Sequence, residues 1–379
     1  MVQIENASAV ILAAGRGTRM GSEYPKVLVE SEEGPILGLL LTELLTSNLK
    51  EIVIVTGFQN EVVETYVRNN FVMDRIKFVR QEEQRGTGDA FWLGLQNVSE
   101  CEQVFCLLGD VPLVSVRSLS ELAIYAKTRQ LSACFYSMLV YHKNEYGRVI
   151  RDFYSGNVLS IEEYKHTTSA QKLIREVSTG VFVFDYRDAK AAFEETFEFM
   201  LDQCRAREIE FYLPLILEVL AAKGMLFDAL LSENSDEFIG VNKKDELEEL
   251  NRALLRRRLT RLKEAGVRFH LLESVYIGPQ VELASDVEVG INVLITGKCE
   301  IGRGSVIGPN VYIKDSSIGS EVEIRPFSVI EGSRISDRAR VGPFARLRPG
   351  TELGEGVSVG NFVETKNAKL GDGVKANHL

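Results

Sequence analysis

Residues 9–26 read AVILAAGRGTRMGSEYPK, and the rest of the chain is organised around them. Ala9 to Leu12 form a short apolar run, the mark of a buried strand. Directly after it come Ala13, Ala14, Gly15, Arg16, Gly17, Thr18, Arg19, Met20 and Gly21, then Pro25 and Lys26. Small residues after a strand let backbone N–H groups come close to a ligand, and successive N–H groups in a turn make a concave anion site. Leu12, Ala13, Ala14 and Gly15 are the candidate backbone contacts. Arg19 and Lys26 add positive charge on long side chains. The combination suits a nucleoside triphosphate.

The spacing excludes two commoner loops. The glycines run G-x-G-x-x-x-G, which is not the dinucleotide fingerprint, and no G-K-[ST] closes a Walker A loop. Taken alone, a Gly-rich turn after a strand is as often a tight connection as a ligand site. The longer string LAAGRGTRMGSEYPKVL resembles the signature L-A-A-G-x-G-T-R-M…P-K of sugar-1-phosphate nucleotidyltransferases. Within them it is most similar to the bacterial bifunctional N-acetylglucosamine-1-phosphate uridyltransferase/glucosamine-1-phosphate acetyltransferase family. The resemblance implies an α/β Rossmann-like nucleotidyltransferase domain followed by a left-handed parallel β-helix of hexapeptide repeats. It implies Mg²⁺-dependent uridylyl transfer from UTP to N-acetylglucosamine 1-phosphate, giving UDP-N-acetylglucosamine, a cell-wall precursor, and pyrophosphate.

A length of 379 residues suggests two or three domains. With 45% hydrophobic and 26% charged residues the chain reads as an ordinary globular protein. A net charge of −10 argues against a nucleic-acid binder and fits a cytoplasmic enzyme that gathers its positive charge in one anion site. Cys101, Cys106, Cys134, Cys204 and Cys299 include no C-x-x-C and read as reduced, buried thiols. No run reaches the ~18 apolar residues of a membrane helix, and the N-terminus has no basic region typical of a signal peptide.

Up to residue 242, apolar runs alternate with amphipathic stretches. This rhythm predicts a mostly parallel sheet covered on both faces, with ligands beyond the carboxyl ends of its strands. Gln81 and Gly86-Thr87-Gly88 precede a predicted helix; they are a plain cap or, as the resemblance implies, the residues that hold uracil. Asp110, in Leu108-Gly109-Asp110, ends a buried strand. It is a turn residue, or it offers Mg²⁺ one of the few protein oxygens that ion takes beside phosphates and water. The family has an aromatic residue where this chain has Leu108. Tyr146-Gly147-Arg148 and Glu163 read as a hairpin, or by resemblance as contacts to the sugar, whose hydroxyls suit an accepting carboxylate.

Two positions depart from the family pattern. Ser178 stands where the family has a sugar-contacting Asn, and Pro214-Leu215 replaces Thr-Asp after Glu210-Phe211-Tyr212-Leu213. Both leave the accepted sugar open. Gly240-Val241-Asn242 closes the domain. Asn242 is a helix cap or, by resemblance, the second protein ligand of Mg²⁺.

Leucines at 247, 250, 254, 255, 259 and 262 predict an amphipathic connecting helix over 243–266, with Gly266 as its stop. From Val275 the chain reads in sixes (VYIGPQ, VELASD, VEVGIN and onward), interrupted by the fives SIGSE, RISDR and KLGDG. Each window is a short strand and a turn, and three make one coil, so about six coils are expected within 267–379. The resemblance implies trimers built through this β-helix. It also aligns Arg348, Lys366 and His378 with acetyltransferase residues. Because the acetyl-CoA-binding coils do not follow in this sequence, acetyltransferase activity is not expected. A different sugar 1-phosphate, or a trimeric scaffold without catalysis, stays open at this point.

Overall fold

The computed structural model describes residues 4, 6–15, 17, 24–142 and 144–378. It divides into two units, Met1–Leu250 and Asn251–Leu379. The division falls inside helix α7, Lys244–Glu264.

The first unit is built on β1, Ala7–Ala13, in which every residue is buried. Its parallel neighbours are β2, Ile52–Thr56, and β4, Gln103–Leu108; β3, Ile76–Arg80, extends the sheet beyond β2. The remaining strands are β5 (Ala133–Leu139), β6 (Arg148–Arg151), β7 (Val158–Glu162), β8 (Glu176–Asp185) and β9 (Phe227–Leu231). Seven of them lie in the order β9-β5-β8-β4-β1-β2-β3, with the β6–β7 hairpin attached through β8. Side chains alternate across a strand, so β1 feeds two cores. Ala9 and Ile11 pack with α1 (Ile36–Leu44), α2 (Asn60–Asn70) and α4 (Val116–Thr128), while Val10 and Leu12 pack with α3 (Thr87–Leu95) and α5 (Tyr186–Ala206). The helices begin where the sequence offers caps. Ser115 Oγ accepts from Ser118 N at 3.1 Å, and the Asp185 carboxylate accepts from Arg187 and Asp188 N–H at 3.0 Å.

Within the seven-strand order, one strand breaks the parallel arrangement. β8 runs antiparallel to both β4 and β5, and its pairing with β5 shifts between Ser178 and Phe182. A bulge of this kind re-aims side chains, and it lies beside the site described below.

In the second unit, short strands form three parallel sheets of seven, six and six strands. Successive partners on one face are Val281, Cys299 and then, through Glu300 and Ile301, Ser317 and Ile318. All three five-residue windows supply strands of this same face: Ser317–Ile318, Arg334–Ile335 and Lys369–Leu370. The architecture is a left-handed parallel β-helix. It starts earlier than the repeat suggests, since Arg268–Phe269 already pairs with Glu288–Val289. Aliphatic residues stack in columns inside; Ile330, fully buried, pairs with Ile313 on one side and Leu347 on the other. Ile330→Ala removes three carbons from a column with no room to collapse. We expect it to cost about 3 kcal/mol, measured by urea unfolding; a loss below about 1 kcal/mol would contradict this packing.

Candidate active site

The carboxyl ends of β1 and β4 meet at the opening turn. Gly109 N donates to Leu12 O at 2.9 Å, which sets Asp110 beside that turn. Pro25 leads into a single 3-10 turn, Lys26–Leu28, whose Val27 and Leu28 are buried. This anchors Lys26 while its stem runs past Gly17. A Cβ on Gly17 would lie 2.5 Å from Lys26 Cβ, and φ there is +63°, so glycine is required.

Lys26 Nζ donates to Asp110 Oδ2 and to Asn242 Oδ1, the latter at 2.5 Å. Two side chains 132 positions apart thus turn their oxygens to one cationic point. Val241 N donates to Asp110 O at 2.9 Å and ties the two segments together. Asn242 does not act as a helix cap through its side chain: α7 starts at Lys244, and the carboxamide oxygen accepts from Lys26 instead. Arg19 lies outside the described residues.

Asp110 and Asn242 line a cleft of about 1030 Å³. Thr87, Gly147, Glu163 and Ser178 line it too, so the residues expected at the sugar share one cavity with the pair. The described lining is rich in carboxylates, among them Asp110, Glu145, Asp236, Asp245 and Glu249, and Lys243 is its sole lysine or arginine. A polyphosphate entering such a cleft needs added positive charge. Asp110 and Asn242 fit a Mg²⁺-like ion: both are hard oxygen donors, they are few, and they already converge on an ammonium nitrogen.

The wall of the cleft around Gly147 is closely packed. Gly147 O accepts from Ser178 N at 2.9 Å, and a Cβ on Gly147 would come within 2.9 Å of Ile161 Cγ2. Arg148 is buried. Its guanidinium donates to Asn144 Oδ1 at 2.7 Å and Tyr146 O at 2.6 Å and stacks over the Tyr164 ring, 5.0 Å from its centre. Burial pushes the Tyr146 phenol to about 12. Glu163 follows β7, and burial, reinforced by the nearby Glu210 carboxylate, raises its carboxyl above the usual range. Hydroxyl donors on a ligand would favour its charged form. The Ser178 hydroxyl accepts from Gly180 N at 3.3 Å and keeps its proton for a ligand.

The Gly-Thr-Gly turn is held by the segment around Phe211, a link the sequence does not show. Gly88 N donates to Phe211 O (2.7 Å), Phe211 N to Arg85 O (2.8 Å) and Leu213 N to Thr87 Oγ1 (2.9 Å). Glu210-Phe211-Tyr212-Leu213 is therefore a brace for the turn, and Pro214 starts helix α6, Leu215–Ala222. Gln81 is buried beside this turn, and its amide donates to Asp89 (2.6 Å) and to Gly86 O (3.2 Å). Gln84 was missed by sequence reasoning: its amide donates to Ala14 O at 2.9 Å and joins this loop to the opening turn. In the second unit, Arg348 pairs with Glu364 at 3.3 Å, and Lys366 and His378 are exposed.

Comparison with known proteins bears on this arrangement. Residues 9–180 match the MobA-like NTP transferase domain, and residues 271–371 match the GMPPB C-terminal domain. The chain is 36% identical over 370 residues to the bifunctional protein GlmU of Carboxydothermus hydrogenoformans, covering 98% of this chain and 80% of that protein. It is 37% identical to the GlmU proteins of Azoarcus sp., over 374 residues, and Methylococcus capsulatus, over 382 residues; each match covers 98% of this chain and 79% and 78% of the relative. At this identity over nearly its whole length, and with an NTP transferase domain matched from residue 9, this chain belongs to the GlmU family and is a nucleotidyltransferase.

Proposed function

We propose that the protein transfers the uridylyl group of UTP to N-acetylglucosamine 1-phosphate, releasing pyrophosphate. The observation that carries this reading is the meeting of Lys26, Asp110 and Asn242 at the mouth of the opening turn. A phosphate oxygen of the sugar phosphate attacks the α-phosphorus; the new P–O bond forms as the bond to the β-phosphate's bridging oxygen breaks. The attacking oxygen is already ionised, so no general base is needed. Catalysis rests on positioning and charge neutralisation.

Asp110 and Asn242 would hold Mg²⁺, which supplies charge neutralisation on the triphosphate when bound. Lys26, with Arg19, balances the remaining phosphate charge. Leu12, Ala13, Ala14 and Gly15 offer backbone to the nucleotide. Gln81, Gly86 and Thr87 take uracil, the Gln81 amide also bonding Gly86 O. Gly147, Glu163 and Ser178 take the sugar. The half-exposed rings of Phe327, Phe344 and Phe362 stack 5.0 and 5.2 Å apart along the β-helix and give an apolar edge suited to a homotrimer.

Ser178 and Pro214 both line the cleft that holds Glu163, which favours, as a second reading, a related sugar 1-phosphate. Pyrophosphate release is the test, measured with UTP, dTTP and GTP against a panel of sugar 1-phosphates. We expect UTP with N-acetylglucosamine 1-phosphate to give the highest kcat/KM. Faster turnover of another pair would move the assignment to that pair, and no Mg²⁺-dependent release with any pair would refute it.

A further inference from the structure

Asn242 reaches the meeting point from a loop, and its carboxamide is useful there only if the backbone beneath it is fixed. Glu246 does this. Its Oε2 accepts from Asn242 N at 2.5 Å and from Lys243 N at 2.9 Å. Glu246 is the third residue of α7, and a glutamate there that bonds back to the N–H just before the helix is half of a capping box. Here the grip extends one residue further upstream, to the residue whose side chain meets Asp110. The loop is fastened on its other side by Val241 N to Asp110 O and by the Lys243–Glu145 ion pair at 3.0 Å. The Glu246 carboxylate thus joins the helix start to the cation site.

We propose that Glu246 is a positioning residue for the metal: it holds Asn242 so that its oxygen and the Asp110 carboxylate meet at one point. This rests on the metal role proposed above for Asp110 and Asn242. A side chain acting only as a helix cap would change stability and leave metal affinity alone. Groups that orient ligands from behind change affinity about 10- to 100-fold when removed.

The test is Mn²⁺ titration of the full chain with UTP present, following free Mn²⁺ by electron paramagnetic resonance. Glu246→Ala should weaken Mn²⁺ binding by about tenfold or more. Glu246→Asp, one methylene short, cannot serve both N–H groups and should weaken it as well, so the result does not depend on the alanine variant folding. Glu246→Gln keeps an accepting oxygen and should stay within about threefold of wild type, as should Glu249→Ala, which removes a carboxylate from the same cleft. Wild-type affinity in both Glu246→Ala and Glu246→Asp, alongside lost binding in Asp110→Ala, would overturn the role of Glu246 and leave the metal site standing. Equal loss in Glu246→Gln and Glu246→Ala would overturn positioning in favour of charge. Unchanged binding in Asp110→Ala would overturn the metal site itself, and this inference with it.

Discussion

Asp110→Ala is expected to slow pyrophosphate release by about a thousandfold or more, because loss of one centre of charge stabilisation costs about 4 kcal/mol of transition-state energy. Asp110 is the one ionised oxygen donor among the two side chains that share the Lys26 ammonium. Without it, Asn242 offers a single neutral oxygen, too weak to hold a divalent ion against water. The fold should survive. β4 ends at Leu108, and the bond from Val241 N uses the Asp110 backbone carbonyl, which alanine retains. Lys26 loses a partner but keeps Asn242. Cooperative unfolding with a Tm lowered by less than about 5 °C is the expected control. Asp110→Asn, which restores an oxygen without the charge, should recover little activity. Turnover within tenfold of wild type in Asp110→Ala would remove this residue from the chemistry.

The second large effect is expected at Gly86. Its φ of +129° belongs to glycine, and a Cβ there would stand 2.4 Å from the Phe211 carbonyl oxygen. The obstacle is backbone, so it cannot rotate away. Relief requires the turn and the 211–213 segment to separate, breaking the bonds of Gly88 N to Phe211 O and Leu213 N to Thr87 Oγ1. Backbone strain and overpacking each cost about 1–3 kcal/mol. Gly86→Ala should therefore lose about 4 kcal/mol in urea unfolding and raise the KM for UTP at least about tenfold, since displaced contacts of this kind are worth a kcal/mol or more each. A variant within about 0.5 kcal/mol of wild type would show that the turn is free to move, and its role in shaping the nucleotide site would fall.

Much of this architecture is legible in the sequence, for physical reasons that differ by element. β1 is readable because a strand buried on both faces leaves an unbroken apolar run. The β-helix is readable because each coil must place an aliphatic residue inward at the same step; the windows of six and five reproduce the strand register. Asp110 and Asn242 were found as separate motifs, each at the end of an element. What the sequence does not carry is who touches whom across long separations. Gln84 sits in the polar run Gln81-Glu82-Glu83-Gln84-Arg85, which reads as a solvated loop, yet it holds Ala14. Glu246 reads as one more acidic residue at a helix start, where a dipole argument suffices. The antiparallel course of β8 leaves no mark either, since a strand buried between two others is apolar in either direction. The bond from Gln81 to Asp89, eight residues on, leaves no mark in the sequence.

On the reading proposed above, Asp110 and Asn242 bind one divalent ion together with the nucleotide. Anomalous diffraction from crystals grown with UTP and Mn²⁺ tests it most directly. We expect one strong peak about 2 Å from both Asp110 Oδ and Asn242 Oδ1, touching the triphosphate. A peak held elsewhere in the cleft, or one bonded to neither side chain, would contradict it.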